Sequence, residues 1–321
     1  MRGLVAALLL SASLLPAAAA AEAAADPLSW LGRIAHAGQR LNYTGTFIYQ
    51  SGGDMETSRI AHRVDAGGER ERLEVLDGSP REVIRSNNEV YCVLPEQKTV
   101  IIDRASNRAA FPSRLPRAYG GLAEHYEVHA GEVSRIAGLE AQLIVLEPRD
   151  DLRYGHMLWA DTQSGLLLKA RTVDDDGGVI EQFMFSDVHI GGELDEALFA
   201  SRYERHDDWK VVNAQGNELR ADDSTWALTR PLPGYTLKSV VSRPLGRERG
   251  DVLHLVYSDG LASISVFIEP IDPEGAGLGP LVTGPINIYR RTVGAHLVTA
   301  LGEVPLRAVQ WVGDGMEPVI Q

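Results

Sequence analysis

The stretch RYGHMLWADTQSGLLLKAR, residues 153–171, decides the fold prediction. Two apolar runs flank a polar loop that contains a glycine, which is typical of a β-hairpin. Alternation places Leu158 and Ala160 on one face of the first strand, and Met157 and Trp159 on the other. Because both faces are apolar, we expect both to be covered, either by the rest of the domain or by an apolar ligand in a concave sheet.

The segments around this hairpin predict a mainly β first domain. Residues 27–41 place apolar side chains near helical spacing, so the domain opens with an amphipathic helix. Short alternating runs then follow, such as YTGTFIYQ (43–50) and VIEQFMFSDVHIG (179–191), and glycine, asparagine and aspartate turns separate them. We therefore expect one large, mostly antiparallel sheet that curls into a half-barrel around at least one helix.

A polar segment predicts the division of the chain into domains. Residues 203–223, YERHDDWKVVNAQGNELRADD, are charged and poor in aliphatic side chains, which is typical of an exposed linker. The first domain then covers residues 26–202. Residues 224–321 form a smaller α+β domain, in which two apolar runs flank a Ser-Asp-Gly turn.

The N-terminus predicts export. Residues 1–25 combine Arg2, an apolar run, Pro16 and an alanine tract, as a secretory signal peptide does, and cleavage after residue 21 or 25 fits a small-residue site. The apolar run is shorter than the roughly 18 to 20 residues that a transmembrane helix needs. The single cysteine, Cys92, cannot form an internal disulfide, and we interpret it as a small core residue.

Charge and motifs argue against several functional classes. A formal net charge of −13 without a clustered basic stripe argues against a nucleic-acid partner and favours basic partners. The chain has no GxSxG elbow, HExxH helix or P-loop, and residues 174–178 (DDDGG) are interpreted as a turn rather than a calcium loop. We therefore expect a protein that is not an enzyme, with no catalytic residue, metal or cofactor.

Candidate binding residues come from strand alternation and turn chemistry. If the first sheet curls, its concave face is either filled by side chains and the helix or left open as an apolar pocket for a lipid-like ligand. The candidate pocket residues are aromatic or aliphatic and lie on predicted strands: Phe47, Tyr49, Leu158, Trp159, Phe183 and Phe185. The candidate partner-binding residues lie on the strands and turn of the second domain: Tyr257, Asp259, Phe267 and Tyr289.

Motif order along the chain carries a resemblance to a known family. The first domain resembles the periplasmic sigma-factor regulators RseB and MucB in the segments TGTFIYQ, ETSRIAHR, ERLEVLDGSPREVIR, SRIAGLEAQLIVLEPRDDLRYGHMLWAD and EQFMFSDVHIG. The second resembles the C-terminal domain of that family in HLVYSDGLASISVFIE and VTALGEVP. The resemblance covers nearly the whole mature chain. It departs near TGPINIYRR (283–291), where Pro285 and Ile286 replace smaller residues.

The resemblance implies a fold and a function. It implies a first domain similar to the lipoprotein carriers LolA and LolB, with helices under the concave side of a half-barrel, and a second domain that contributes much of the partner binding. The partner would be the periplasmic region of a membrane-bound, RseA/MucA-like anti-sigma factor, which such a regulator shields from regulated proteolysis. Mislocalised lipoprotein or lipopolysaccharide would release it.

Two other functions and one structural property stay open. The half-barrel alone would also suit a periplasmic lipid or lipoprotein carrier, although such a carrier does not need the second domain. An exported hydrolase is a third reading, but no nucleophile and base can be paired from the sequence. The sequence does not decide whether the protein forms a homo-oligomer.

Overall fold

The computed structural model describes residues 26–104, 121–204, 206–244, 251–271 and 277–319. The predicted signal peptide, residues 1–25, lies outside these ranges. No helix within them is long and apolar enough to cross a membrane. The elements are α1 (Pro27–Arg40), β1 (Tyr43–Ser51), β2 (Asp54–Asp65), β3 (Gly68–Val75), β4 (Glu82–Ser86), β5 (Glu89–Leu94), β6 (Thr99–Arg104), α2 (Leu122–His125), β7 (Tyr126–Ile136), β8 (Leu139–Pro148), β9 (Gly155–Asp161), β10 (Leu167–Val173), β11 (Val179–Ile190), β12 (Lys210–Asn213), β13 (Asn217–Leu219), β14 (Trp226–Leu228), β15 (Thr236–Pro244), β16 (Asp251–Ser258), β17 (Ser263–Pro270), β18 (Gly279–Thr283), β19 (Ile286–Val293), β20 (His296–Gly302), α3 (Leu306–Gly315) and β21 (Met316–Pro318).

Helix α1 begins where the sequence predicts it. The Asp26 carboxylate accepts a hydrogen bond from the Leu28 backbone N–H at 3.2 Å, and Pro27 occupies the first turn, where its missing N–H costs nothing. The apolar face of the helix is buried, with Leu31 and Ile34 almost fully excluded from solvent. Arg33 donates from Nη2 to the Thr162 carbonyl at 2.8 Å, which ties the helix to the predicted hairpin.

The first sheet is the predicted half-barrel. Its twelve strands lie in the order β12-β6-β5-β4-β3-β2-β1-β11-β10-β9-β8-β7. Neighbours are antiparallel throughout the described part of this sheet except at its edge, where β12 runs parallel to β6. The 153–171 stretch forms β9 and β10, which pair antiparallel with Leu158 opposite Ala170. The prediction of a mainly β, curled and mostly antiparallel first sheet is confirmed.

The second sheet has seven strands in the order β13-β15-β16-β17-β20-β19-β18. Helix α3 packs against β17, β19 and β20, and β14 pairs with β21 beside it. The core between them is fully buried at Leu255, Val266, Ala300 and Val309. The prediction of a smaller α+β unit after the large sheet is confirmed.

The segment predicted as a linker takes part in both sheets. Strand β12 extends the first sheet, with Val211 beside Val100. Strand β13 extends the second sheet, with Glu218 beside Val241. The segment is largely exposed, as its polar composition predicts, but backbone hydrogen bonds hold it at the edges of both sheets.

Candidate functional site

Strand register assigns five of the six candidate pocket residues to one face. Tyr49 pairs with Phe183, and Phe47 with Phe185, so the aromatic pairs predicted to share a side do so. Leu158 joins this face through Ala170, which pairs with both Leu158 and Phe183. This is the concave face, because Phe47, Phe183 and Phe185 are at most 6% exposed, whereas Ile48 and Met184 at the alternate positions are only half-buried.

Trp159 lies on the opposite, convex face of the sheet. It pairs with Lys169, whereas its neighbour Leu158 pairs with Ala170, and successive residues of a strand point to opposite sides. Grouping Leu158 and Trp159 in one pocket was therefore wrong, and the alternation within the hairpin already separates them. The ring of Trp159 is covered by the side chains of Lys169 and Arg171.

The concave aromatic residues are packed against one another, in the core that also contains the buried side of α1. The rings of Phe47, Phe183 and Phe185 meet edge to face at centroid distances of 5.8 to 6.4 Å. Phe185 is 1% exposed and Phe47 is 3% exposed. Tyr49 donates from its hydroxyl to Glu181 at 2.6 Å. Side chains and helix thus fill this part of the concave face, which was one of the two outcomes that the sequence left open.

A cavity of ≈ 220 Å³ lies elsewhere, beside strands β3 and β4 and a short 3₁₀ turn. None of the six candidate pocket residues lines it, and its lining residues are Arg70, Ile84, Arg85, Ser86, Glu196, Phe199 and Ala200. Within the described ranges, no three His, Cys, Asp or Glu side chains converge on a point that could hold a metal ion.

A row of polar side chains crosses the concave face beside the aromatic core. Tyr43 pairs with His62, His62 with Glu71, and Glu71 with Arg85. His62 is 1% exposed, and its ring stacks on Tyr43 at 4.9 Å. Its Nδ1 lies 2.8 Å from the Leu41 carbonyl and its Nε2 lies 3.4 Å from Glu69 Oε1. Both ring nitrogens therefore face acceptors, which only the doubly protonated imidazolium can satisfy.

This environment predicts that stability falls at alkaline pH. Burial lowers the pKa of His62, but the hydrogen bonds to Glu69 and Leu41 and the charge of Glu71 outweigh it, so the net pKa lies above the usual value. The stability that the charged imidazole contributes is complete below about pH 6.5 and is lost as pH rises through the raised pKa of the folded state. Urea unfolding from about pH 6 to about pH 8.5 should show this loss, and a His62→Gln variant should show a flatter profile. If the free energy of unfolding depends on pH equally in the native chain and in the variant, the prediction is wrong.

The two sheets meet at a buried arginine from the loop between β8 and β9. Arg153 is fully buried, and its guanidinium donates to Asp150 Oδ1 at 2.9 Å, Asp259 Oδ2 at 3.0 Å and the Pro233 carbonyl at 2.6 Å. The Tyr126 hydroxyl also donates to Asp259 Oδ2, at 2.9 Å. Burial and the charge of Asp259 raise the pKa of Tyr126 well above its usual value, so the hydroxyl stays a neutral donor.

Apolar contacts reinforce this junction from both sides. Leu152, from the same loop as Arg153, is buried in the core of the second sheet, and Leu261 packs against the core of the first. Asn287 donates to the Tyr154 hydroxyl at 3.2 Å, and Arg307 forms an ion pair with Asp151. The loop therefore fixes the second sheet against the first through charged, polar and apolar contacts together.

The four candidate partner-binding residues do not form one surface. Tyr257 is 7% exposed in the core beneath α3, and Tyr289 donates to Asp314 at 2.8 Å on that helix. Phe267 lies on the other face of the sheet, stacked on His254 at 4.2 Å. Asp259 is engaged within the junction. A partner-binding role for these residues stays a prediction, and the structure shows what each contacts within the chain.

An open, curled sheet that carries a helix on its concave side, and that is fixed to a smaller antiparallel sheet with its own helix by a buried ionic junction, defines a mainly β protein of two parts. The family profile described as "MucB/RseB N-terminal domain" matches residues 26–203, and the one described as "MucB/RseB C-terminal domain" matches residues 220–317. The chain therefore belongs to the MucB/RseB family.

Individual relatives agree over nearly the whole length. The sigma factor AlgU regulatory protein MucB of Pseudomonas aeruginosa is 33% identical over 97% of this chain and 96% of its own. The sigma-E factor regulatory protein RseB of Escherichia coli K12 is 26% identical over 92% of this chain and 93% of its own. The solved MucA/MucB complex of Pseudomonas aeruginosa contains a chain that is 30% identical, with a TM-score of 0.72 over 92% of this chain and 100% of that one.

Proposed function

We propose that this protein is a periplasmic regulator of an envelope-stress sigma factor. It binds the periplasmic region of a membrane-bound anti-sigma factor and shields that region from regulated proteolysis. The observation that carries the proposal is the match of both parts of the chain, in order, to MucB, whose structure with MucA is solved. Such a role needs binding surfaces rather than reacting groups, so the protein is proposed not to be an enzyme.

The two sheets are proposed to have different roles. Residues 26–202 would form the lipid-sensing part and residues 224–321 the main anti-sigma-factor-binding part, joined by residues 203–223. A lipoprotein or lipopolysaccharide that binds the first part could release the partner from the second if it favours the unbound arrangement by roughly 1–3 kcal/mol. The junction at Arg153 and Asp259 supports such coupling, because it fixes one part against the other.

The packed aromatic face bears on the lipid step. Phe47, Phe183 and Phe185 are buried in the core, so an acyl chain that reached them would have to displace α1 or their rings. Lipid binding would then oppose the packing of the first sheet. This favours a sensor, whose resting state excludes the lipid, over a carrier, which needs an accessible pocket.

Binding of purified proteins tests the regulator role. The chain from residue 26 is expected to bind the periplasmic segment of its own organism's anti-sigma factor in calorimetry, with a Kd of about 1 μM or tighter, and to slow cleavage of that segment by the protease that degrades it in the periplasm. An acylated peptide is expected to weaken the complex, while the same peptide without its acyl chain serves as the control. If no complex forms, the regulator role is wrong. If the complex forms and the acylated peptide does not weaken it, only the proposed release step is wrong.

A further inference from the structure

The convex face of the first sheet carries two cations over one indole ring. Lys169 Nζ lies 4.6 Å from the ring centroid of Trp159, and Arg171 Cζ lies 5.6 Å from it. Residues 169 and 171 project to the same side of β10 because they are two positions apart. The ring attracts both cations through its negative face, but it does not neutralise them.

From β2 to β8, carboxylates are absent from the two cross-strand rows that contain these residues. The first row contains Leu143, Trp159, Lys169, Met184, Ile48 and Thr57. The second row contains Val145, Met157, Arg171, Gln182, Gln50 and Met55. Asp161, the next acidic residue on this side of β9, is 4% exposed and accepts hydrogen bonds from Ser164 N and Oγ at 2.6 Å. It is therefore occupied by the hairpin turn.

Neither cation is neutralised, and Arg171 is held in place by neutral side chains. Arg171 Nε donates to Gln182 Oε1 at 2.8 Å, and Gln182 Nε2 donates to Gln50 Oε1 at 2.8 Å, so a ladder of neutral amides orients the guanidinium. Within the described ranges, Lys169 contacts the ring of Trp159 and forms no hydrogen bond or ion pair. Burial and the charge of Arg171 lower the pKa of Lys169, as expected for a cation beside a second one with no anion between them.

This arrangement favours an anionic ligand. Two like charges kept side by side and half-buried are unfavourable until an anion lies between them. Because the amide ladder already orders Arg171, an incoming carboxylate would form charge-assisted hydrogen bonds at a reduced cost in side-chain entropy. The formal net charge of the whole chain is −13, so this cationic face is a local exception to the charge of the protein.

The surroundings of the cations indicate what carries the anion. Met55 is 70% exposed, and Leu143, Val145, Met157, Met184 and Ile48 are half-buried, so apolar side chains flank the two cations. The convex side of a continuous sheet offers an extended surface rather than a cavity that could enclose an acyl chain. A net charge of −13 also opposes adhesion to an anionic lipid surface. A peptide fits better than a lipid.

We propose that Trp159, Lys169 and Arg171 form a docking site for an acidic side chain of a partner peptide whose neighbouring residues are apolar. The peptide is a segment of the anti-sigma factor's periplasmic region, so this inference rests on the proposed function. The site would fix the register of that segment along the first sheet, because a desolvated charge pair is specific in position. The second sheet then provides a separate contact with the same partner.

The test compares charge-matched variants of the chain from residue 26. Lys169→Gln with Arg171→Gln is expected to weaken binding of the anti-sigma factor's periplasmic segment about tenfold or more. Lys98→Gln with Arg135→Gln removes the same charge from two exposed positions of the first part and is expected to change the Kd less than about twofold. Circular dichroism melting shows whether each variant is folded. Trp159→Leu, with both cations retained, should also weaken binding because the cations lose their platform.

Partner variants locate the contact. Each Asp or Glu of the segment is changed in turn to its amide, and one of these changes is expected to weaken binding to the native chain but not to the Lys169→Gln, Arg171→Gln variant. Equal affinity of the two charge-matched variants overturns the proposal, as does the lack of any coupled partner carboxylate. If the Lys169→Gln, Arg171→Gln variant loses binding to vesicles that contain anionic lipid but binds the peptide as the native chain does, the site is assigned to a membrane instead. If the native chain itself fails to bind the segment, the proposed function fails.

Discussion

An Asp259→Ala variant is expected to lose about 3–5 kcal/mol of free energy of unfolding, because it leaves the guanidinium of Arg153 buried with an incomplete set of partners. The side chain of Asp259 is 1% exposed and that of Arg153 is fully buried. Asp259 Oδ1 also accepts the Leu261 and Ala262 backbone N–H groups at 2.9 Å, so the change removes the support of a turn as well. Urea unfolding followed by circular dichroism measures the loss.

The same variant separates two roles of Asp259. From the sequence it is a candidate contact for the partner, and in the structure it fixes the two sheets together. A variant that keeps its stability but loses binding of the anti-sigma factor would support the contact role and contradict the prediction. Asp222→Ala serves as the control, because its side chain is 89% exposed and its loss should change stability by less than about 0.5 kcal/mol.

Local pattern predicted much of the fold. The helix predicted at residues 27–41 is Pro27–Arg40, and the predicted hairpin is β9 and β10, because apolar spacing and turn residues act over a few positions. The alternation of side chains along a strand also predicted that Phe183 and Phe185 lie on one side, as observed. It also separated Leu158 from Trp159, so the error over Trp159 came from grouping aromatic residues by type instead of following the register.

Contacts between residues that are far apart in the chain could not be predicted from local sequence pattern. Arg153 is charged, and charged side chains are usually exposed. It is nevertheless buried, and two of its hydrogen-bond partners are 80 and 106 residues away in the chain. The strand at Lys210–Asn213 lies in a segment with few aliphatic residues, and it forms because the edge of β6 offers unpaired backbone groups. The sequence also could not decide whether the concave face is open or filled, since that depends on where α1 lies.

Replacing Phe185 by alanine tests whether the concave face is filled. Phe185 is 1% exposed and meets Tyr43, Phe47 and Phe183 edge to face, so its loss should leave a cavity and lower the free energy of unfolding by about 3–5 kcal/mol. Its ring also occupies the space where a side chain at Gly45 would lie, 2.8 Å from an added Cβ, so this strand has no side chain there that could fill the cavity. Met55→Ala, at a position that is 70% exposed, is the control and should change stability by less than about 0.5 kcal/mol.

The outcome also decides how a lipid could act on this protein. If Phe185 is a core residue, the variant is destabilised, and a small apolar ligand that fills the cavity should restore part of the lost stability. A variant as stable as the native chain, but with weaker binding of an acylated peptide, would instead show that the ring lines an existing pocket. In the first case an acyl chain reaches the concave face only by displacing packed side chains. Lipid binding and the native packing of the first sheet would then exclude each other, as the release step requires.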